Sequence, residues 1–255
     1  MTIQTLLCSI TLILHTHQAQ QMIQGRSANP ALNQPRISGL LVFARKVTRL
    51  WIAATQNDPY ADWALIHIEA KLAAIDNEFK TQLARLTQEL STQAITINLG
   101  QSTTPYQHTW VFKTPYANLA AGLLTHYDAL LCSSVLTARQ LGLIDHGEQH
   151  RLMSTYSRSL RQLFALPNFW QPTGIQRNQI DLQSDTIQSA IQRYGDCPAD
   201  ILAGTHRPRL VPPIRARASD VISDPVKRQG IENQSKQQHP RHDSSVVTRR
   251  VLKTV

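Results

Sequence analysis

The sequence predicts an α+β fold that is mostly α-helical. Long helices pack with a small antiparallel sheet, and a ribbon-helix-helix-like strand-helix-helix module is embedded among them. Three observations predict this. Apolar residues recur at steps of three and four through several long segments, the mark of amphipathic helices. Alternation with a period of two is confined to short runs near residues 9–15, 94–99 and 106–113. The last of these runs leads directly into two helical patterns that end near Leu166. A strand followed by two helices is what a ribbon-helix-helix module needs, and it is equally an ordinary α+β core.

The first run, Ser9–His15, places Ile10, Leu12 and Leu14 on one face and Thr11 and Ile13 on the other. A series of hydrogen-bonding side chains follows, Thr16, His17, Gln18, Gln20 and Gln21, and it leads to Gly25 and Arg26. Glutamine pairs bidentately with adenine and arginine with guanine. Thr16, His17, Gln18, Gln20 and Arg26 are therefore candidate DNA contacts, with a polar surface helix as the alternative. Pro30 and Pro35 mark a loop.

Ile37–Gln56 reads as an amphipathic helix with Leu40, Leu41, Ala44, Val47, Leu50 and Trp51 on its apolar stripe. Arg45, Lys46 and Arg49 form a small basic patch on its other side, either a solvated face or a phosphate contact. Asp58-Pro59 opens the longest helix, to about Thr92, at near-heptad spacing (Trp63, Ile66, Leu72, Ile75, Phe79, Leu83, Leu86, Leu90). A helix of about 34 residues is about 50 Å long and needs a partner for its stripe, within the chain or in a second subunit. Ala94–Leu99 reads as a strand able to form a hairpin with Tyr106–Lys113.

In the strand Tyr106–Lys113, Gln107, Thr109 and Lys113 share one face and are candidate base contacts, while His108, Trp110 and Phe112 share the face toward the core. Thr114 offers a capping hydroxyl and Pro115 suits the first helical position. One uninterrupted helix is expected from there to Gly142, a C′ residue. Asp145 with Glu148 forms a capping box for a second helix, whose outer side carries Arg151, Arg158 and Arg161 and which Pro167 ends. Asp181–Tyr194 is a shorter helix, and Pro198–Ala203 adds a turn. From Thr205 the prolines, arginines and serines multiply and periodicity stops. The expected organisation is a single folded domain over residues 1–204 and a basic disordered tail over 205–255.

Charge follows the same division. The 255-residue chain carries a net charge of +9. Thr205–Val255 holds eleven Lys/Arg against four Asp/Glu, a net +7, and Met1–Gly204 holds fifteen against thirteen, a net +2. A basic tail suits an anionic partner such as nucleic acid, or is simply solvated. Cys8, Cys132 and Cys197 are odd in number, widely spaced and outside any metal-ligand spacing, as in a reduced cytoplasmic protein. The N-terminal apolar run lacks the preceding Lys/Arg and the small-residue site of a signal peptide, and it is too short to span a bilayer. No Walker, dinucleotide, nucleophile-elbow or HExxH motif is present. Asp58 and Asp62 lie in the first turn of a helix, where the macrodipole accounts for them. Neither an enzyme nor a cofactor, metal or membrane protein is expected.

Four stretches together resemble one family, the AcaB-like transcriptional regulators, conserved proteins of integrating conjugative elements and conjugative plasmids. They are LHTHQAQ at 14–20, DPYADW at 58–63, SVLTARQLGLID at 134–145 and PADILAGTHRP at 198–208. Residues 9–208 share the likeness, with one departure at His17, where the family pattern has arginine. The resemblance implies a homodimeric DNA-binding activator of transfer genes with ribbon-helix-helix character. A different class remains open beside it: a non-enzymatic accessory or structural protein of the conjugation system, acting through protein contacts.

Overall fold

The N-terminal strand and the strand of the expected module pair with each other. In the computed structural model, which describes residues 9–92, 102–179 and 184–213 without the side chains of 132–134, β1 (Ser9–Leu14) lies antiparallel to β4 (Tyr106–Val111). Ser9 faces Val111 and Leu14 faces Tyr106. A homodimeric ribbon would pair the 106–113 strand with its twofold mate, but one edge of that strand is taken by β1 of the same chain. The expected strand at Ala94–Leu99 and its hairpin, the segment Met1–Cys8, and the tail from Ile214 lie outside the described residues.

Between the two strands come α1 (His17–Gln24), the short pair β2 (Gly25–Arg26) and β3 (Ile37–Ser38), α2 (Leu40–Thr55) and α3 (Pro59–Ser91). The helix expected from Ile37 starts three residues later because Ile37 and Ser38 pair with Arg26 and Gly25. Gly39 then serves as N-cap in extended conformation. The two backbones touch there. Gly25 has φ +73°, and a Cβ on it would collide with the Ile37 carbonyl oxygen and lie 2.6 Å from the Gly39 nitrogen. Gly25→Ala is expected to lower stability by roughly 1–3 kcal/mol from backbone strain alone, with the collision adding to it. Urea denaturation checks this; an unchanged midpoint would show that the pair can separate freely.

α3 begins as expected. Pro59 takes the first helical position, and the Asp58 carboxylate accepts from the Tyr60 and Ala61 amides at 3.0 and 3.2 Å. Its partner is internal: α3 packs on α2, on α4 (Pro115–Leu130) and on α6 (His146–Ala165). The buried stripe runs through Leu65, Ile68, Leu72, Ile75, Phe79, Leu86 and Leu90, with Trp63, Ile66 and Leu83 on its half-buried flank. Phe79 packs against Tyr127 of α4 and Tyr156 of α6 at ring distances of 6.4 and 5.7 Å, so the three helices meet on aromatic rings. An aromatic side chain buries about 150–250 Å², worth roughly 4–6 kcal/mol of transfer free energy at most.

The long helix of the module is not uniform. After α4 the chain widens into a π turn at Leu131–Leu136 and then resumes as α5 (Thr137–Gln140). Gly142, at φ +70°, ends it: the Gly142 and Leu143 amides donate to Arg139 and Ala138 carbonyls. Thr114 occupies the N-cap position of α4, yet its buried hydroxyl makes no capping bond. Asp145 caps α6 through the Glu148 amide at 2.7 Å. α7 (Asp185–Tyr194) and α8 (Ala199–Ala203) follow. No described helix is long and apolar enough to cross a membrane.

Two of the family-like stretches meet in one buried polar node. Asp62 is fully buried, and Arg177 and Arg207 both pair with it at 2.8 Å. Arg207 Nε and Nη2 reach the two carboxylate oxygens, and Nη2 also donates to the Ala54 carbonyl. Arg177 further donates to the Asn57 side chain and the Ile201 carbonyl. Asp58, 2% exposed, receives the Thr173 and Gly174 amides. Burial holds its carboxyl above the usual aspartate value, and those hydrogen bonds oppose part of that rise. A helix dipole alone therefore does not account for these two acids: one is a cap that also holds a distant loop, the other the counter-ion of two guanidiniums. The node also moves the edge of the fold. Arg207 belongs to the segment expected as tail, and the Arg209 and Leu210 amides donate to Glu69. Residues 207–210 are thus held on α3.

Candidate nucleic-acid interface

Alternation sorts the β1–β4 ribbon into two faces. The other face carries Ile10, Leu12, Leu14, Tyr106, His108 and Trp110: Leu12 and Leu14 are fully buried, Tyr106 and Trp110 half-buried against the core, and His108, expected toward the core, is exposed. Tyr106, His108 and Trp110 stack along the strand, with 4.1 Å between the last two rings. Outward lie Ser9, Thr11 and Ile13 from β1 and Gln107, Thr109 and Val111 from β4, every one exposed. Ile13 and Val111 are 45% and 50% exposed, unusual for β-branched aliphatics in so short a sheet. Thr11 and Thr109 face each other, their hydroxyls 2.8 Å apart. The outer face thus carries no charge and presents hydroxyls, one carboxamide and methyl groups.

The candidate residues separate by geometry. Gln107 and Thr109 share the exposed face. Lys113 is exposed but lies two residues past the strand end at Val111, so it flanks the ribbon and does not belong to it. Thr16 is turned into the fold, away from the exposed candidates. It is 8% exposed, caps α1 through the Ala19 amide and donates to Asp128 at 2.6 Å. Asp128, on α4, also accepts the His15 and Thr16 amides at 2.7 and 2.9 Å. This buried carboxylate fixes the angle at which β1 turns into α1. His17 and Gln18 are exposed and Gln20 is half-buried, and His17 is bonded to Gln21 at 2.9 Å. Exposed Arg26 donates to the Pro35 carbonyl at 3.3 Å.

On α2, Arg45 and Arg49 are exposed and Lys46 half-buried. Burial, then the neighbouring charges of Arg36 and Arg49, hold the Lys46 ammonium below the ordinary lysine value. Arg36 thus extends the patch from the preceding loop. Sequence patterning misses Arg36, and it misses the pairing of β1 with β4, which is a contact between distant segments. Among the described residues no group of His, Cys, Asp and Glu is placed to hold a metal ion.

The family model described as "Transcriptional regulator AcaB" matches residues 4–215 of this chain. No curated protein sequence matches it. Among solved structures, the crystal structure of selenomethionine-containing AcaB from uropathogenic E. coli is similar. It has a TM-score of 0.55 at 13% sequence identity, covering 79% of this chain and 97% of that one. At that identity the likeness is one of fold.

Proposed function

The chain belongs to the AcaB family of transcriptional regulators, and from that premise we propose that it binds promoter DNA by laying the β1–β4 ribbon in the major groove. The observation that carries the reading is the outer face of the ribbon, where six exposed, uncharged side chains stand in two paired rows. The major groove admits a two-stranded ribbon, and it displays adenine edges that a glutamine reads bidentately and thymine methyls that take apolar contacts. Gln107 suits the first. Ile13, Val111 and the methyl groups of Thr11 and Thr109 suit the second, which gives a reason for aliphatic side chains in solvent. Lys113, Arg36, Arg45, Lys46 and Arg49 supply phosphate contacts that position the ribbon without reading sequence. The strand-helix-helix order from β4 through α6 supports the reading of a ribbon-helix-helix-like module, with a ribbon completed within one chain. Two chains form a homodimer on two half-sites about 10 base pairs apart. The regulator acts in the cytoplasm as an activator of conjugative transfer genes on an integrating element or plasmid.

The near-neutral net charge of residues 1–204 favours the other reading, an accessory protein of the conjugation apparatus. Gel shift against the promoters of the element's transfer genes, over a series of salt concentrations, separates the two. A regulator gives a complex at physiological salt that competitor DNA of unrelated sequence does not displace. An accessory protein gives none. Light scattering on the same preparation is expected to report two chains per particle.

A further inference from the structure

A cavity of about 310 Å³ opens where α1, the β2–β3 pair, α4 and α6 meet. Gln18 and Gln21 line it from α1, Arg26 from β2, Tyr127 from α4, and Ser157 and Arg161 from α6. Met22, Gly25 and Ile37 complete the wall, so the lining holds two guanidiniums and no carboxylate. The nearby positive charge of Arg161 acts on the buried Tyr127 phenol, opposing the upward push of burial on its proton. That phenol is bonded to Ser157 at 2.7 Å. When Tyr127 donates in that bond, the proton of Ser157 remains available to a ligand. Arg26 is steadied by the Pro35 carbonyl and Gln21 by His17. The cavity therefore gathers amide, hydroxyl and guanidinium donors around one volume, with no carboxylate in its lining.

We infer that this cavity binds a phosphate group, held between Arg26 and Arg161 with Gln18, Gln21 and Ser157 as hydrogen-bond donors. Arginine pairs bidentately with phosphate oxygens, and two of them from different elements match a dianion better than either alone. The phosphate comes either from the backbone of bound DNA or from a free phosphorylated molecule. Its α1 wall begins at Gln18, four residues past the end of β1 at Leu14, and only the first source depends on the DNA-binding reading.

Inorganic pyrophosphate is the probe, titrated calorimetrically into the full chain at constant ionic strength. Saturable binding is expected, weakened at least tenfold by Arg161→Gln or Arg26→Gln. Arg151→Gln, on the same helix and paired with Glu148, leaves it unchanged. Both cavity arginines are exposed, so their variants are expected to melt with the parent. The same proteins are then titrated with duplex DNA across salt concentrations. A drop of about 0.9 in the log–log salt slope for Arg161→Gln identifies the ligand as a backbone phosphate, with or without pyrophosphate binding. Arginine-dependent pyrophosphate binding with an unchanged slope, or with no DNA binding at all, identifies a free phosphorylated molecule. Pyrophosphate binding that is absent or indifferent to both arginines, together with an unchanged slope, overturns the proposal.

Discussion

Replacing Asp62 by alanine is expected to lower stability by roughly 3–5 kcal/mol, a large share of the roughly 5–15 kcal/mol of an ordinary protein. The loss comes less from the missing attraction than from what stays behind. Arg177 and Arg207 side chains are 8% and 17% exposed, and without Asp62 two guanidiniums sit together, poorly solvated, with no counter-charge. Asp62→Asn keeps the shape and one acceptor but not the charge, and is expected to fall between the two. Asp185→Ala, an exposed acid in the first turn of α7, costs about 0.5 kcal/mol or less. Chemical denaturation measures all three, and an Asp62→Ala loss no larger than that of Asp185→Ala would contradict the node. The same geometry dictates where a tail deletion must start. A chain ending at Gly204 lacks Arg207 and the Glu69 contacts, so it loses stability along with the tail. A chain ending at Pro213 keeps both.

Asp128→Ala is the second large effect, expected at roughly 3 kcal/mol or more, because three donors, two of them buried and one partly buried, lose a charged acceptor together. The His15 and Thr16 amides and the Thr16 hydroxyl all point at this one carboxylate. The consequence is more local than at Asp62. Hydrogen exchange is expected to speed up in β1 and the first turn of α1 before it does so in α3. Affinity for DNA is expected to fall further than the stability loss alone requires, since the ribbon no longer leaves α1 at a fixed angle. Uniform acceleration of exchange across the chain would show that Asp128 supports the whole core and not this junction.

Local devices were legible in the sequence. The Asp58-Pro59 start of α3, the Asp145 cap and the Gly142 stop each depend on a few neighbouring residues, and each stands where its motif is. Alternation also identified the exposed face of β4, with Gln107 and Thr109 outward. Pairing was not legible. Thr11 meets Thr109 across 98 residues, and Asp62 meets its two arginines across 115 and 145. No local pattern encodes such a choice. Thr16 shows a further ambiguity, because a threonine in a polar run looks the same whether it reads a base or caps a helix. The π turn escaped for a similar reason, since one wider turn displaces the apolar stripe too little to break its period.

The most direct test of the ribbon as reader is competition binding by Gln107→Ala and Thr109→Ala variants. Each is titrated against the promoter site and against copies carrying single base-pair changes. Both residues are exposed, so melting temperatures are expected to stay with the parent. Each variant is expected to lose roughly 1–3 kcal/mol of discrimination at one or two base pairs and to keep the parent's salt slope. Unaltered preference at every base pair in both variants would contradict the ribbon as the element that reads DNA.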